Sequence, residues 1–347
     1  MRVDGAVDIA SVATWIPEEF ELPPDYDGLG VPDFGLPQLR VKSLPVSREL
    51  AAPEMATLAA RACLAEGGWE AARLNVLFHS HLYHQGHDFW SAAHYIAREL
   101  GTPPHATPVT IQQNCNGAMF ALELAATRFL ADPEAEAVLL TTADRFAPPG
   151  WNRWEHPGVG LPYGFGDGAT AALVRRAGDT PTTLALLSVV QTTDPEFEVI
   201  FRGEPDFTPA PMWNKAVFFD GNNLPYMEDL DFALKMRKWA RISLSRALDD
   251  AGIKPDDKRI RYVLLPRADT AGIGLNYGTV FDCLAHAEVV AFGEHTGHIG
   301  AGDQLANIVE MRDRGMLRCG EIAVLVGGGG GTTWSTVLVQ AGPGWQR

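Results

Sequence analysis

The chain has 347 residues, of which 46% are hydrophobic and 20% charged, with a formal net charge of −15. That length and apolar content fill the core of one large α/β unit or two domains and exclude a disordered chain. The acidic balance without a long basic run excludes a typical nucleic-acid binder.

No apolar run approaches the length of a membrane span, and Met1-Arg-Val-Asp-Gly-Ala-Val-Asp8 lacks a signal-peptide core, so a cytoplasmic protein is expected. The cysteines, at 63, 115, 283 and 319, form no CxxC pair, which speaks against a disulfide framework or a zinc site.

In chain order, Leu58 to Gly68 reads as a helix ending in glycines, and Leu74 to His79 as a strand. His79, His81, His84 and His87 follow closely, with His94 beyond them. Their spacing matches no defined zinc pattern, so no metal is expected. The segment reads instead as a lining of an acyl or acceptor pocket, with His84 and Trp90 as substrate contacts and Phe89 and Trp90 packing beneath.

A polar, β-rich stretch then enters Thr110-Ile-Gln-Gln-Asn-Cys-Asn-Gly-Ala-Met119, and Ala118 to Leu130 has the apolar spacing of a helix. Cys115 therefore stands at a strand-to-helix joint. There the positive end of a helix dipole favours a nucleophilic thiolate. The alternative is a small apolar core cysteine. A strand over Ala137 to Thr142 follows. Tyr163 to Val174 is a glycine-rich turn running into a buried strand, with no lysine to make it a phosphate loop. Thr193 to Leu230, rich in Pro, Phe, Trp, Asp and Asn, reads as a long insertion walling the site or an interface.

The order then repeats: a helix over Ile242 to Gly252, a strand over Tyr262 to Leu265, the joint Thr296-Gly-His-Ile-Gly-Ala-Gly302, a helix over Gln304 to Arg314, and a strand over Glu321 to Val326. Alternation of this kind implies a largely parallel sheet covered by helices. The repeat predicts two halves, residues 1–178 and 179–347, packed face to face. Cys115 and His298 occupy equivalent joints and should meet between them.

Asn114-Cys-Asn-Gly-Ala118, Gly164-Phe-Gly-Asp-Gly-Ala169 and Gly327-Gly-Gly-Gly-Gly-Thr-Thr-Trp334 together resemble the thiolase superfamily, specifically β-ketoacyl-acyl-carrier-protein synthase III. The resemblance implies a five-layered αβαβα fold made of two duplicated halves, and a homodimer. It also implies an oxyanion hole formed by the backbone N–H groups of Cys115 and Gly330. The family pairs its cysteine with a histidine and an asparagine that stabilise a decarboxylation carbanion. Here Arg267 stands in the histidine's place, in Pro266-Arg-Ala-Asp-Thr270, and His298 in the asparagine's, in Gly297-His-Ile-Gly300.

What replaces them is a Cys115, His298 and Asp303 set, similar to that of an offshoot of the family in antibiotic and polyketide pathways. His298 would act as the base and Asp303 would orient it, provided His298 precedes the helix and Asp303 lies in its first turn. Arg267 offers either a carboxylate contact for substrate or a structural ion pair, the second being preferred. The expectation is acyl transfer without decarboxylative condensation, from acyl carrier protein or coenzyme A through a Cys115 thioester, to a small-molecule hydroxyl or amine or a carrier thiol. No permanently bound cofactor is expected. A starter-unit condensing enzyme and a non-catalytic partner subunit are the alternatives.

Overall fold

The computed structural model describes residues 1–24, 35–148, 150–154, 164–178, 180–198, 230–329 and 332–345. The expected insertion after Thr193 lies mostly outside the described residues.

The first half opens with β1 (Arg2–Trp15), the short pair β2 (Phe20–Glu21) and β3 (Leu44–Pro45), and α1 (Ala52–Glu66). It continues through β4 (Val76–Ser80), α2 (Ala92–Leu100), β5 (Thr107–Ile111), α3 (Gly117–Ala131), β6 (Ala137–Asp144) and β7 (Gly168–Arg176). The second half runs β8 (Leu184–Thr193), α4 (Leu230–Ala251), β9 (Ile260–Leu264), α5 (Thr270–Tyr277), β10 (Glu288–Val290), α6 (Asp303–Asp313), β11 (Ile322–Gly329) and β12 (Thr333–Ala341).

Ten strands are linked in the order β5-β4-β6-β7-β1-β8-β12-β11-β9-β10. Read outward from the β1–β8 junction, each side has the same sequence of roles. β4 pairs in parallel with β5 and β6, and β9 in parallel with β10 and β11. β7 and β12 run antiparallel to their neighbours. Every residue of β4 and of β6 is buried, as strands covered on both faces require.

Three cores separate five layers. Met55 and Ala59 of α1 and Ile96 of α2 pack on Leu77, Leu139 and Leu173, one face of the first sheet. Leu140 and Val138 point to the opposite face, where Leu122 and Phe129 of α3 and Leu305 and Ile308 of α6 lie between the two sheets. Val337 and Val339 close that central layer from β12, whereas Leu338 between them faces Leu244 and Leu248 of α4. The two-residue period of the strands thus assigns neighbouring side chains to different cores. Sandwiched between sheets, α3 is apolar around much of its circumference, as its sequence Gly-Ala-Met-Phe-Ala-Leu-Glu-Leu-Ala-Ala indicates. Truncating a side chain such as Leu140 to alanine would cost about 2–5 kcal/mol. α3 and α6, the two inner helices, start beside one another, and both joints described above sit at those starts.

Candidate active site

Cys115 lies in a single 3-10 turn, Asn114–Asn116, that carries the chain from β5 into α3. Asn114 has φ of 47°, the left-handed conformation that lets the chain reverse so sharply. Gly117 follows because a Cβ there would come within 2.5 Å of the Ser80 side chain. Asn116 fixes the turn from behind: its Nδ2 donates to Gln191 Oε1 at 2.9 Å, and Ser335 Oγ donates to its Oδ1 at 2.5 Å. First-half and second-half strands are therefore both tied to the residue after the cysteine.

His298 enters from the other half. Its N–H donates to Gly164 O at 2.8 Å, and Gly166 N–H donates to its carbonyl at 3.0 Å. That contact explains the glycines of the Gly164–Ala169 segment, since a Cβ on Gly166 would come 2.1 Å from Thr296 O. The Phe165 ring stands edge-on to the imidazole with centroids 5.5 Å apart, backed by Phe146 and Trp151. This aromatic wall leaves His298 only 2% exposed.

The Cys115 thiol lies 3.0 Å from His298 Nε2, and His298 Nδ1 lies 2.7 Å from Asp303 Oδ2. Asp303 is the first residue of α6, after a 3-10 turn over Gly300–Gly302, so its carboxylate sits at a helix N-terminus. Its Oδ1 accepts the Ile299 N–H at 3.0 Å, and Oδ2 accepts the Arg267 N–H at 2.7 Å. A carboxylate can only accept, so Nδ1 carries the proton and Nε2 is left to receive one from sulfur. Burial opposes charging the imidazole, but Asp303 and Cys115 outweigh it and hold the His298 pKa well above its ordinary value.

The 3-oxoacyl-acyl-carrier-protein synthase III family model matches residues 109–195, from β5 through the Cys115 turn to the end of β8. No curated protein matches the sequence at a significant level. Among solved structures, ChlB3, described as an acyltransferase, superposes with a TM-score of 0.80 at 26% identity, covering 97% of this chain and 98% of its own. The chain is a synthase III-like protein of the thiolase superfamily. FabH of Pseudomonas aeruginosa PAO1, a 3-oxoacyl-(acyl carrier protein) synthase III, shares the fold with a TM-score of 0.74 at 21% identity over 97% and 98% of the two chains. Xanthomonas campestris OleA with bound lauric acid and lauroyl-CoA does so with 0.70 at 17%, over 96% and 99%.

In this synthase III-like chain the Arg267 side chain turns away from the cysteine. Its Nε donates to Thr296 Oγ1 at 3.0 Å, Nη1 to Asn307 Oδ1 at 3.1 Å and Nη2 to Glu310 Oε2 at 2.6 Å. All three nitrogens are spent on α6 and the joint before it, so the geometry is that of a structural ion pair. Gly330 lies outside the described residues.

The histidine segment divides. His79 is sealed inside β4, bonded to Thr141 Oγ1 at 3.0 Å and Gln85 Oε1 at 3.1 Å, and burial pushes its pKa down to about 3. His81 stacks on it and bonds the Tyr83 carbonyl. His84 and Trp90 are exposed and make no hydrogen bond or ring contact with Cys115 or Asp303; Trp90 meets His87 and Tyr95. The expected packing of Phe89 beneath the site is wrong: Phe89 is fully exposed, at φ of 49°, and Trp90 is 41% exposed. The alternation that buries β4 stops at Ser80, and the turn residues beyond it do not keep that period. Among the described residues no cluster of His, Cys, Asp or Glu could hold a metal ion, and no helix is long and apolar enough to cross a membrane.

Sequence reasoning missed Asp144. Fully buried at the end of β6, it accepts the N–H groups of Leu82 at 2.8 Å and Tyr83 at 2.7 Å, and that of Ala301 in the joint between His298 and Asp303. An aspartate closing the apolar run Ala137-Val-Leu-Leu-Thr-Thr-Ala-Asp144 was the available signal. Asp167, within the glycine segment, is likewise buried and binds Arg153 Nη1 at 2.5 Å together with the N–H groups of Phe146 and Ser47.

Proposed function

We propose that this protein is an acyltransferase that carries the acyl group on Cys115. The supporting observation is the unbroken line of contacts from Cys115 Sγ to His298 Nε2 and from His298 Nδ1 to Asp303. In the first half-reaction His298 takes the thiol proton and sulfur attacks the carbonyl of an acyl-carrier-protein or coenzyme A thioester. The carrier C–S bond breaks, and the departing sulfur takes the proton from His298. In the second, His298 removes the proton of an acceptor hydroxyl, amine or thiol, which attacks the Cys115 thioester. The Cys115–acyl bond breaks and the cysteine sulfur is reprotonated. Asp303 keeps the tautomer and stabilises the imidazolium at both stages. The N–H groups of Cys115 and Gly330 are proposed to hold the oxyanion.

The Arg267 guanidinium is engaged with α6, so no side chain at that position is free to stabilise a decarboxylation carbanion. That favours transfer over condensation. The synthase III family match keeps a starter-unit condensing enzyme as the second reading. The halves 1–178 and 179–347 are proposed as the two structural units. A homodimer is proposed too: β5 ends the sheet with Thr107, Val109 and Thr110 exposed, an unpaired edge able to accept a second copy. Acyl carrier protein is the proposed donor partner.

The test is intact-protein mass spectrometry with malonyl and other acyl donors, with released carbon dioxide measured alongside. An acyl mass gain on wild type, absent from Cys115→Ala, supports the reading. Carbon dioxide released in step with product would replace transfer with condensation, and no mass gain from any donor would leave a non-catalytic subunit.

A further inference from the structure

Tyr277 ends α5, with its ring packed in the outer core of the second half and stacked on Phe281 at 6.1 Å. The residue is 4% exposed, yet its hydroxyl makes no hydrogen bond with any described residue. A buried tyrosine O–H ordinarily finds a partner, so an idle one at a site points to a partner that arrives with the ligand.

Its location is fixed by the glycine strand. A Cβ on Gly328 would stand 3.1 Å from the Tyr277 hydroxyl. A Cβ on the next residue, Gly329, would stand 3.0 Å from the Asn116 nitrogen and 2.7 Å from the Gln113 carbonyl, at the two flanks of Cys115. Adjoining residues of one extended segment thus touch the phenol and the nucleophile turn. Burial raises the Tyr277 pKa, and the charges of Cys115 and Asp303 raise it further, so the hydroxyl stays protonated and is available as a donor.

We infer that the Tyr277 hydroxyl donates a hydrogen bond to an oxygen on the acyl group carried by Cys115, so that the site selects acyl groups bearing a polar oxygen near the thioester. The inference rests on the acyl-transfer reading. An alkyl acyl chain leaves the phenol without a partner in a closed site, and a site built around a donor discriminates against the group that lacks the acceptor.

Pantetheine thioesters of butyrate and 3-hydroxybutyrate test this on wild type and Tyr277→Phe, with acyl-enzyme formation followed by intact mass. The substitution keeps the ring and its stacking, so the melting temperature should not move. Wild type should acylate faster with the 3-hydroxybutyryl donor by about 10- to 100-fold. Tyr277→Phe should lose that preference while its butyryl rate is unchanged. An unchanged ratio in the variant, an equal fall with both donors, or an effect confined to transfer overturns the role of Tyr277 while Cys115 is still labelled. Wild type that takes no acyl group from either donor overturns the acyltransferase reading and this inference with it.

Discussion

Asp303 and Arg267 meet through the main chain: the Arg267 N–H reaches Asp303 Oδ2 at 2.7 Å, the same oxygen that receives His298 Nδ1. The arginine therefore supports the orienting carboxylate with its backbone while its side chain grips Asn307 and Glu310 farther along the same helix. The position that resembles the family's missing histidine has become part of the frame around a new one.

Asp303→Asn follows from that geometry. The two oxygens of Asp303 receive three donors, from Arg267, His298 and Ile299. An amide has one acceptor oxygen, so at least one buried donor loses its partner, and the imidazole tautomer is no longer fixed. Turnover should fall on the order of 10³–10⁴. Because the pair acts as a unit, the double variant with His298→Ala should be little worse than His298→Ala alone. Single-turnover rates for each half-reaction check this; strictly additive losses would remove Asp303 from the mechanism.

His298 should titrate lower once Cys115 is gone. Burial lowers its pKa, whereas Asp303 and Cys115 raise it. Cys115→Ala removes one of the raising partners and leaves burial in place, so the sign is downward. Acylation of the sulfur removes the same charge, which makes neutral His298 available as a base at lower pH in the transfer step. For stability, a raised histidine pKa contributes fully below its ordinary value of about 6.5 and is lost as pH rises through the folded value. Nitrogen-detected NMR titration of His298 in the two proteins measures the difference; identical midpoints would mean that the 3.0 Å contact carries no charge coupling.

Gly300→Ala should damage both fold and transfer. Gly300 has φ of 74°, and a Cβ there would stand 2.0 Å from Asp144 Oδ2, a buried atom with nowhere to move. The left-handed conformation and the clash together should cost about 2–4 kcal/mol. The segment displaced is the one between His298 and Asp303, so acyl transfer should fall more than the fraction of unfolded protein explains. Urea unfolding and single-turnover transfer on the same preparation separate the two effects, and a variant of wild-type stability would refute the clash.

The sequence was most informative where local pattern and tertiary role agree. The joints at Cys115 and His298 were legible because each combines a strand, glycines and an apolar helix, and the Asp303 condition was stated by spacing alone. The ten-strand order and the thiolase-like layers followed from the repeat together with the resemblance. What stayed hidden was decided by long-range contacts. Asn116 is held by Gln191 and Ser335, neither of which is near it in sequence. β1, the longest strand, at 14 residues, mixes buried and exposed positions without the clean alternation that marks a strand. The outward turn of Phe89 came after the buried strand ended, where residue type no longer fixes direction.

Asp144 gives the fold a pH dependence opposite to that of an ion-paired carboxylate. Burial raises its pKa from 3.8 to about 7, against the lowering pull of the N–H groups of Tyr83, Leu82 and Ala301 and of the nearby His298 charge. Between those two values the folded protein holds a proton that the unfolded chain has released. Stability from this group is therefore complete below about pH 4, falls as pH rises toward 7, and is level above that. The shift corresponds to an upper figure of about 4 kcal/mol. Asp144→Asn cannot ionise, so it lacks this slope, though its amide leaves one of the three N–H groups unpaired at a cost of about 1–3 kcal/mol. The variant should be clearly less stable than wild type at pH 5, and the gap should narrow or reverse at pH 8. Urea unfolding of both proteins across that range reads it directly. Parallel stability curves would mean that Asp144 stays ionised in the folded state, and that its three donors outweigh burial.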